Sequence, residues 1–221
     1  MAKTILNSFQ IAVLKELQKN PLNSKFYLSG GTALSEYYLH HRFSEDLDFF
    51  TREELGIEEI KKFINLISRK NKIKKIEISH GFGLYTFFLT PEKNNIKYKI
   101  DFGQYPFFNI NPLKEINGLK IESLFDIAVN KAHTIAFRPR LRDFIDVYFI
   151  IQENKDWPFS YLLKKSFEKF EMRADALQIS QNLLLVKSLK DMPKMIKKID
   201  MKKIESYFLN EIKNFEKDIW K

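Results

Sequence analysis

The chain contains no cysteine, which excludes both a disulfide framework and a thiolate metal site. Its four histidines show neither HxxxH nor HExxH spacing, so a bound metal would have to be held by oxygen. No segment approaches the roughly 18–20 consecutive apolar residues that span a bilayer. Met1 to Lys19 scatters charge through an amphipathic pattern where a signal peptide would carry an apolar core. These absences predict a cytoplasmic protein with no membrane partner. Internal repeats, low-complexity linkers and long charge blocks are also missing. Negative charge is the minority: Lys+Arg 37 against Asp+Glu 28 gives +9 and a pI near 9.4. A Lys-rich proteome would produce the same balance, so charge only tilts the reading toward polyanions such as nucleic acid. What is present is 44% hydrophobic and 14% aromatic residues in 221 positions, enough to bury the core of one larger or two small domains.

The most informative stretch runs from Phe26 to Thr51, FYLSGGTALSEYYLHHRFSEDLDFFT. An apolar strand at Phe26–Leu28 enters Gly30-Gly31, where missing Cβ atoms permit a sharp turn and close ligand approach. A helix is expected from about Thr32, its N-terminal amides and dipole forming an anion cradle. Beyond it, Asp46 and Asp48 read as same-face residues of a strand. Upstream, the apolar spacing of 7–19 predicts a helix stopped by Asn20-Pro21. Downstream, 52–70 predicts another, and 75–79 and 84–90 predict a strand pair around His80-Gly81-Phe82-Gly83. The alternating segment 96–102 places Lys97, Lys99 and Asp101 on one face and Ile96, Tyr98, Ile100 and Phe102 on the other.

From Ser123 the periodicity changes to 3.6, which puts a boundary near 115–122. Helices are expected at about 124–137, 142–152, 158–170, 174–189 and 202–221, punctuated by Pro139, Pro158 and Pro193. The expected fold class is α+β, with a mixed sheet flanked by helices over 1–120 and an α-helical domain over 121–221.

Three carboxylates, Asp46, Asp48 and Asp101, on polar faces of strands that could be neighbours suit Mg²⁺, which takes carboxylates, substrate phosphate oxygens and water. Such a site could neutralise a leaving pyrophosphate, with Asp101 orienting or deprotonating an acceptor hydroxyl. In the helix from Leu124, Lys131 falls inside the apolar arc and must snorkel or meet an anion. The following helix, RDFIDVYFII, is apolar except on the arc bearing Arg142, Asp143 and Asp146. An interdomain salt bridge of Lys131 or Arg142 with Asp146 would explain these charges. So would a Lys131 that reaches a nucleotide triphosphate while Asp146 or Asp143 orients a basic side chain. Arg42 and Ser44 could touch phosphate; His80 and His133 read as ordinary histidines, and Phe87-Phe88 and Phe107-Phe108 as core.

SGGTAL, HRFSEDLDFF, KYKIDF and NKAHTIAFRPRLRDFIDVY resemble, in order and spacing, the motifs of AbiEii/AbiGii-type nucleotidyltransferase toxins, within the DNA polymerase β-like superfamily. The resemblance covers 26–150; the later helices match in general character. It implies a Mg²⁺-dependent nucleotidyltransferase using an NTP, the toxin of a toxin–antitoxin or phage-defence pair with a cognate antitoxin, acting on RNA and on tRNA first. By position it implies Gly30 and Gly31 at the nucleotide-cradling turn, Asp46 and Asp48 as the metal pair, and Lys99 and Asp101 as a lysine-x-acid strand. Lys131 matches a nucleotide-contacting lysine, and Arg142, Asp143 and Asp146 a basic-acidic helix motif. Gly31 stands where many superfamily members have serine, so a hydroxyl contact to phosphate would fall to Thr32 or Ser44. Two rivals are a nucleotidyltransferase with a small-molecule acceptor and a catalytically silent nucleotide- or RNA-binding module.

Overall fold

The computed structural model describes residues 4–219, and the chain divides into two compact units, Met1–Ser123 and Leu124–Lys221. In the first unit, helix α1 (Ser8–Leu17) opens with a capping box. The Asn7 side chain accepts from the Gln10 amide, and the Gln10 side chain accepts from the Asn7 amide. A single turn, α2 (Leu22–Lys25), starts at Pro21 and leads into strand β1 (Tyr27–Ser29). Helix α3 (Gly30–Leu34) follows without a gap, earlier than the Thr32 start expected. It widens into a π-helical turn, Ser35–Leu39, closed by His40 at φ 48°.

Strand β2 (Leu47–Thr51) begins one residue after Asp46, so only Asp48 of the pair lies on the strand. Helix α4 (Ile57–Lys70) starts five residues later than the 52–70 periodicity predicts. The reason is local: the Thr51 hydroxyl accepts from the Glu53 amide, a side-chain turn that competes with helix nucleation, and Gly56 becomes the N-cap. Strands β3 (Ile73–Gly81) and β4 (Leu84–Pro91) form a hairpin over a two-residue Phe82-Gly83 turn, both at positive φ. Strand β5 (Tyr98–Gln104) then returns to the middle of the sheet.

A further hairpin, β6 (Lys114–Ile116) and β7 (Leu119–Ile121), occupies the region read from the sequence as a boundary. Its signal is the Asn117-Gly118 turn, at φ 51° and 71°, the dipeptide that best matches a left-handed two-residue loop. Among the described residues, seven strands form one sheet in the order β3-β4-β5-β2-β1-β7-β6. The β2–β5 and β1–β7 pairs are parallel and the others antiparallel, so the sheet is mixed.

One face of this sheet is apolar. Phe102 contacts the rings of Phe26, Phe49, Phe63 and Phe87, and Ile60, Phe63, Ile64 and Ile67 of α4 are buried. Burying one such side chain is worth about 1.5–3 kcal/mol. Because side chains alternate along β5, anchoring Ile100 and Phe102 in this core sends Lys99 and Asp101 to the other face.

The second unit is helical: α5 (Leu124–Phe137), α6 (Leu141–Glu153), α7 (Phe159–Phe170), α8 (Ala176–Leu184) and α9 (Met201–Ile219). The segment expected as one helix over 174–189 is shorter. Asp175 caps α8 by accepting from the Gln178 amide, and the chain tightens to a 3₁₀ turn at Leu185–Lys187. The last two positions of the helix expected over 202–221 lie outside the described residues. Among the described residues no helix is long and apolar enough to cross a membrane.

Candidate active site

The antiparallel pairing of β1 with β2 sets Ser29 opposite Asp48. The chain then turns at Gly30, whose φ of 69° lies in the left-handed region. A Cβ at Gly30 would stand 2.2 Å from Asp48 Oδ2, and one at Gly31 would stand 2.7 Å from Arg42 Nη2 and 2.9 Å from Ser44 Oγ. The glycines therefore admit the site's own side chains, where the sequence pointed to close approach by a ligand. Thr32 is fully buried, and its hydroxyl donates to the carbonyl of Asp46. That leaves Ser44, partly exposed beside Gly31, as the hydroxyl available to a phosphate. Arg42 is buried, with Nη1 donating to the Phe43 carbonyl at 3.0 Å.

Asp48 and Asp101 are register partners on the parallel strands β2 and β5. Asp46 is drawn in by Lys99, whose ammonium stands 3.5 Å from Asp46 Oδ2 and 2.6 Å from Asp101 Oδ2. Burial works to lower the Lys99 pKa. The hydrogen bond to Asp101 and the charges of Asp101, Asp46 and Asp48 outweigh it and hold the ammonium above its ordinary value. Among the described residues no three acidic or histidine side chains assemble into a metal-holding group, so the expected set of three carboxylates is divided by this lysine. A Mg²⁺ ion nevertheless suits what remains, because it needs only one or two carboxylates with phosphate oxygens and water. Asp101 Oδ1 is buried with no hydrogen-bond partner, an oxygen whose lone pairs are unspent.

One buried acid escaped the sequence reading. Glu122, at the end of β7, is fully buried; it accepts from the Ser29 hydroxyl and, at its carbonyl, from Tyr38 Oη at 2.7 Å. It braces the residue immediately before Gly30. Recognising the Asn117-Gly118 hairpin would have placed it in the sheet.

In the second unit, Lys131 of α5 is buried between two acids of α6, 2.8 Å from Asp143 Oδ1 and 2.7 Å from Asp146 Oδ2. The anticipated salt bridge thus exists with both acids, inside one unit and not as an interdomain link. Arg142 is half-exposed and makes no ion pair among the described residues. Asp143 Oδ2 is buried without a hydrogen-bond partner. Lys169 of α7 is fully buried against Asp126 at 3.0 Å and Asn130 at 2.9 Å. His133 packs at a tilt against the rings of Phe137 and Phe170, and burial lowers its pKa to about 4, so it is a neutral packing residue. His80 is exposed and stacks on Tyr85. Phe87 is core, whereas Phe108, expected in the core, is 52% exposed.

A family profile described as "Nucleotidyl transferase AbiEii toxin, Type IV TA system" matches residues 12–217. The chain is 32% identical over 167 residues to the uncharacterized protein aq_aa25 of Aquifex aeolicus (strain VF5), covering 75% of this chain and 76% of that one. Its fold is similar to the crystal structure of a candidate nucleotidyltransferase from H. pylori, with TM-score 0.61 and 18% identity over 95% of this chain and 92% of the other. It is also similar to that of JHP933 from Helicobacter pylori, with TM-score 0.57 and 21% identity over 95% and 90%.

Proposed function

Because the chain belongs to the AbiEii nucleotidyltransferase toxin family, we propose that it transfers a nucleotide from an NTP to a hydroxyl of an RNA acceptor, tRNA being the first candidate. Mg²⁺ is its proposed cofactor, and a cognate antitoxin, within a toxin–antitoxin or phage-defence pair, its proposed partner. Nucleotidyl transfer itself follows from the family. The observation that carries the residue assignment is the placement of Asp48 against Gly30 and beside Asp101 on a parallel strand.

Under this reading Asp48 and Asp101, with Asp46 beside them, would hold the divalent ion. When bound, Mg²⁺ neutralises charge on the phosphates of the NTP and on the leaving pyrophosphate. Ser44 and Arg42, packed on Gly31, are assigned to the phosphates; for Lys131 a nucleotide contact rests on the family motif alone. Lys99, kept charged by its acid neighbours, supplies a further cation, while Asp143 and Asp146 orient Lys131 and Arg142 lies beside them in sequence. The acceptor oxygen forms a bond to the α-phosphorus as the bond to the pyrophosphate oxygen breaks. The hydroxyl proton passes to the Asp101 carboxylate, at the oxygen that the ion would leave free.

Incubation of the purified protein with Mg²⁺, each α-labelled NTP and total RNA tests this. Label is expected on an RNA band and absent with Asp48→Asn, whose fold is checked by circular dichroism. Label confined to small products, or equal labelling by the variant, overturns the RNA-acceptor reading.

A further inference from the structure

Away from the acidic face, the first unit carries a cavity of about 350 Å³ whose rim includes Lys70, Lys72 and Lys93 and whose wall includes Phe9 and Tyr98. The two rings stack with centroids 4.1 Å apart and planes within 12°. Lys70 is paired with Glu16 at 2.7 Å. Among the described residues neither Lys72 nor Lys93 has an acidic partner. Lys72 is held in a left-handed conformation, φ 51°, and its carbonyl accepts from the Glu92 amide, so the α4–β3 corner and the β4–β5 loop carrying Lys93 are tied together.

Ser8 and Phe9, which also line the cavity, begin α1. The capping box satisfies the amides of Asn7 and Gln10, leaving the Ser8 and Phe9 amides with no intrahelical carbonyl to reach. Two lysines without acidic partners among the described residues, Lys72 and Lys93, and the positive end of a ten-residue helix thus line one concavity, which focuses positive potential there.

The position of this cavity decides what it fits. Tyr98 lines it, while the next residue, Lys99, points to the opposite face and meets Asp46 and Asp101. Gln10, next to Phe9, donates to the carbonyl of Ser44, which packs on Gly31. Tyr98 and Lys99 are the first two residues of β5 and face opposite sides of the sheet, so the cavity wall and the acid-bound lysine are adjacent along the strand. A small acceptor held at the acids would leave the cavity unused; an extended polyanion passing over the rim would occupy both.

We propose that this cavity is a subsite for backbone phosphates of the RNA acceptor, an inference that rests on the RNA-acceptor reading above. The test is the full-length double variant Lys72→Gln/Lys93→Gln, with its fold checked by circular dichroism. Binding of fluorescein-labelled tRNA is followed by anisotropy across a salt series, and NTP binding without RNA is measured in parallel. Loss of two phosphate contacts is expected to weaken tRNA binding several-fold at low salt and to flatten the salt slope by about 1.5. The charge-reversed pair Lys72→Glu/Lys93→Glu should weaken it further. Unchanged tRNA affinity and slope overturn the subsite alone. A selective loss of NTP affinity overturns it too, by showing that the cavity serves the nucleotide's own phosphates. Wild-type protein that binds no RNA overturns the subsite together with the reading beneath it.

Discussion

Asp48 occupies the space that a side chain on Gly30 would need, the added Cβ falling 2.2 Å from Asp48 Oδ2 and 3.0 Å from its Cγ. Gly30→Ala must therefore both displace the carboxylate and strain a backbone at φ 69°. The left-handed conformation alone costs about 1–2 kcal/mol. A carboxylate moved by an ångström at a reacting centre is expected to cost about 10²-fold in kcat/KM. Nucleotide transfer and urea denaturation measured side by side check this; a variant with full activity would detach Gly30 and Asp48 from the chemistry.

Lys99 acts as a cation among three acids. Lys99→Met leaves Asp101 Oδ2 without its 2.6 Å partner, with an expected loss of about 1–3 kcal/mol in chelator. Mg²⁺ should then raise the melting temperature of the variant more than that of the wild type, since the ion replaces the missing charge. The folded-state pKa of Lys99 is raised, so its contribution is complete below the ordinary lysine value of about 10.4 and disappears as pH climbs through the higher folded value. The stability gap between wild type and variant should be level through neutral pH and close only in strong alkali. Equal Mg²⁺ shifts in both proteins would speak against a cation site here.

Lys131 neutralises two acids whose side chains are 7% and 0% exposed. Lys131→Met removes the cation that both buried acids share and is expected to cost about 3–5 kcal/mol. Adding Asp143→Asn and Asp146→Asn should recover most of the stability but none of the transfer activity. Denaturant midpoints for the single and triple variants decide the matter: a triple variant no more stable than the single would mean that packing, and not charge, holds α5 to α6.

His133 is kept neutral by burial, with its pKa lowered from 6.5 to about 4. A lowered pKa means that its contribution is complete above pH 6.5 and is lost as pH falls toward 4. His133→Phe, placed between the rings of Phe137 and Phe170, should remove that part of the acid slope. Thermal melts between pH 7 and pH 4 provide the comparison, and parallel slopes for the two proteins would contradict it.

Periodicity and strand alternation dictate much of this protein's local structure. Helix α5 spans Leu124–Phe137 as its apolar arc dictates, and β5 separates Asp101 from Phe102 by simple alternation. Where local hydrogen bonds compete with pattern, the pattern loses. Thr51 delays α4 through the Glu53 amide, and a pair of three-residue strands was invisible to a reading based on apolar runs, although Asn117-Gly118 marked their turn.

What the sequence determined by itself was the inventory: no thiolate ligand, since cysteine is absent, an α+β order of elements, and the glycines, acids and lysines that carry the family motifs. Tertiary structure alone decided which of these meet. Strand register set Asp48 beside Asp101, the turn at Gly30 received Asp48, and Lys99 came between Asp46 and Asp101. It also buried Glu122 and Lys169, which in sequence look like ordinary surface charges. The physical reason is that composition and period report which face a residue takes along its own element. The partner across that face depends on chain segments tens of residues away, brought together by the burial of a core they share.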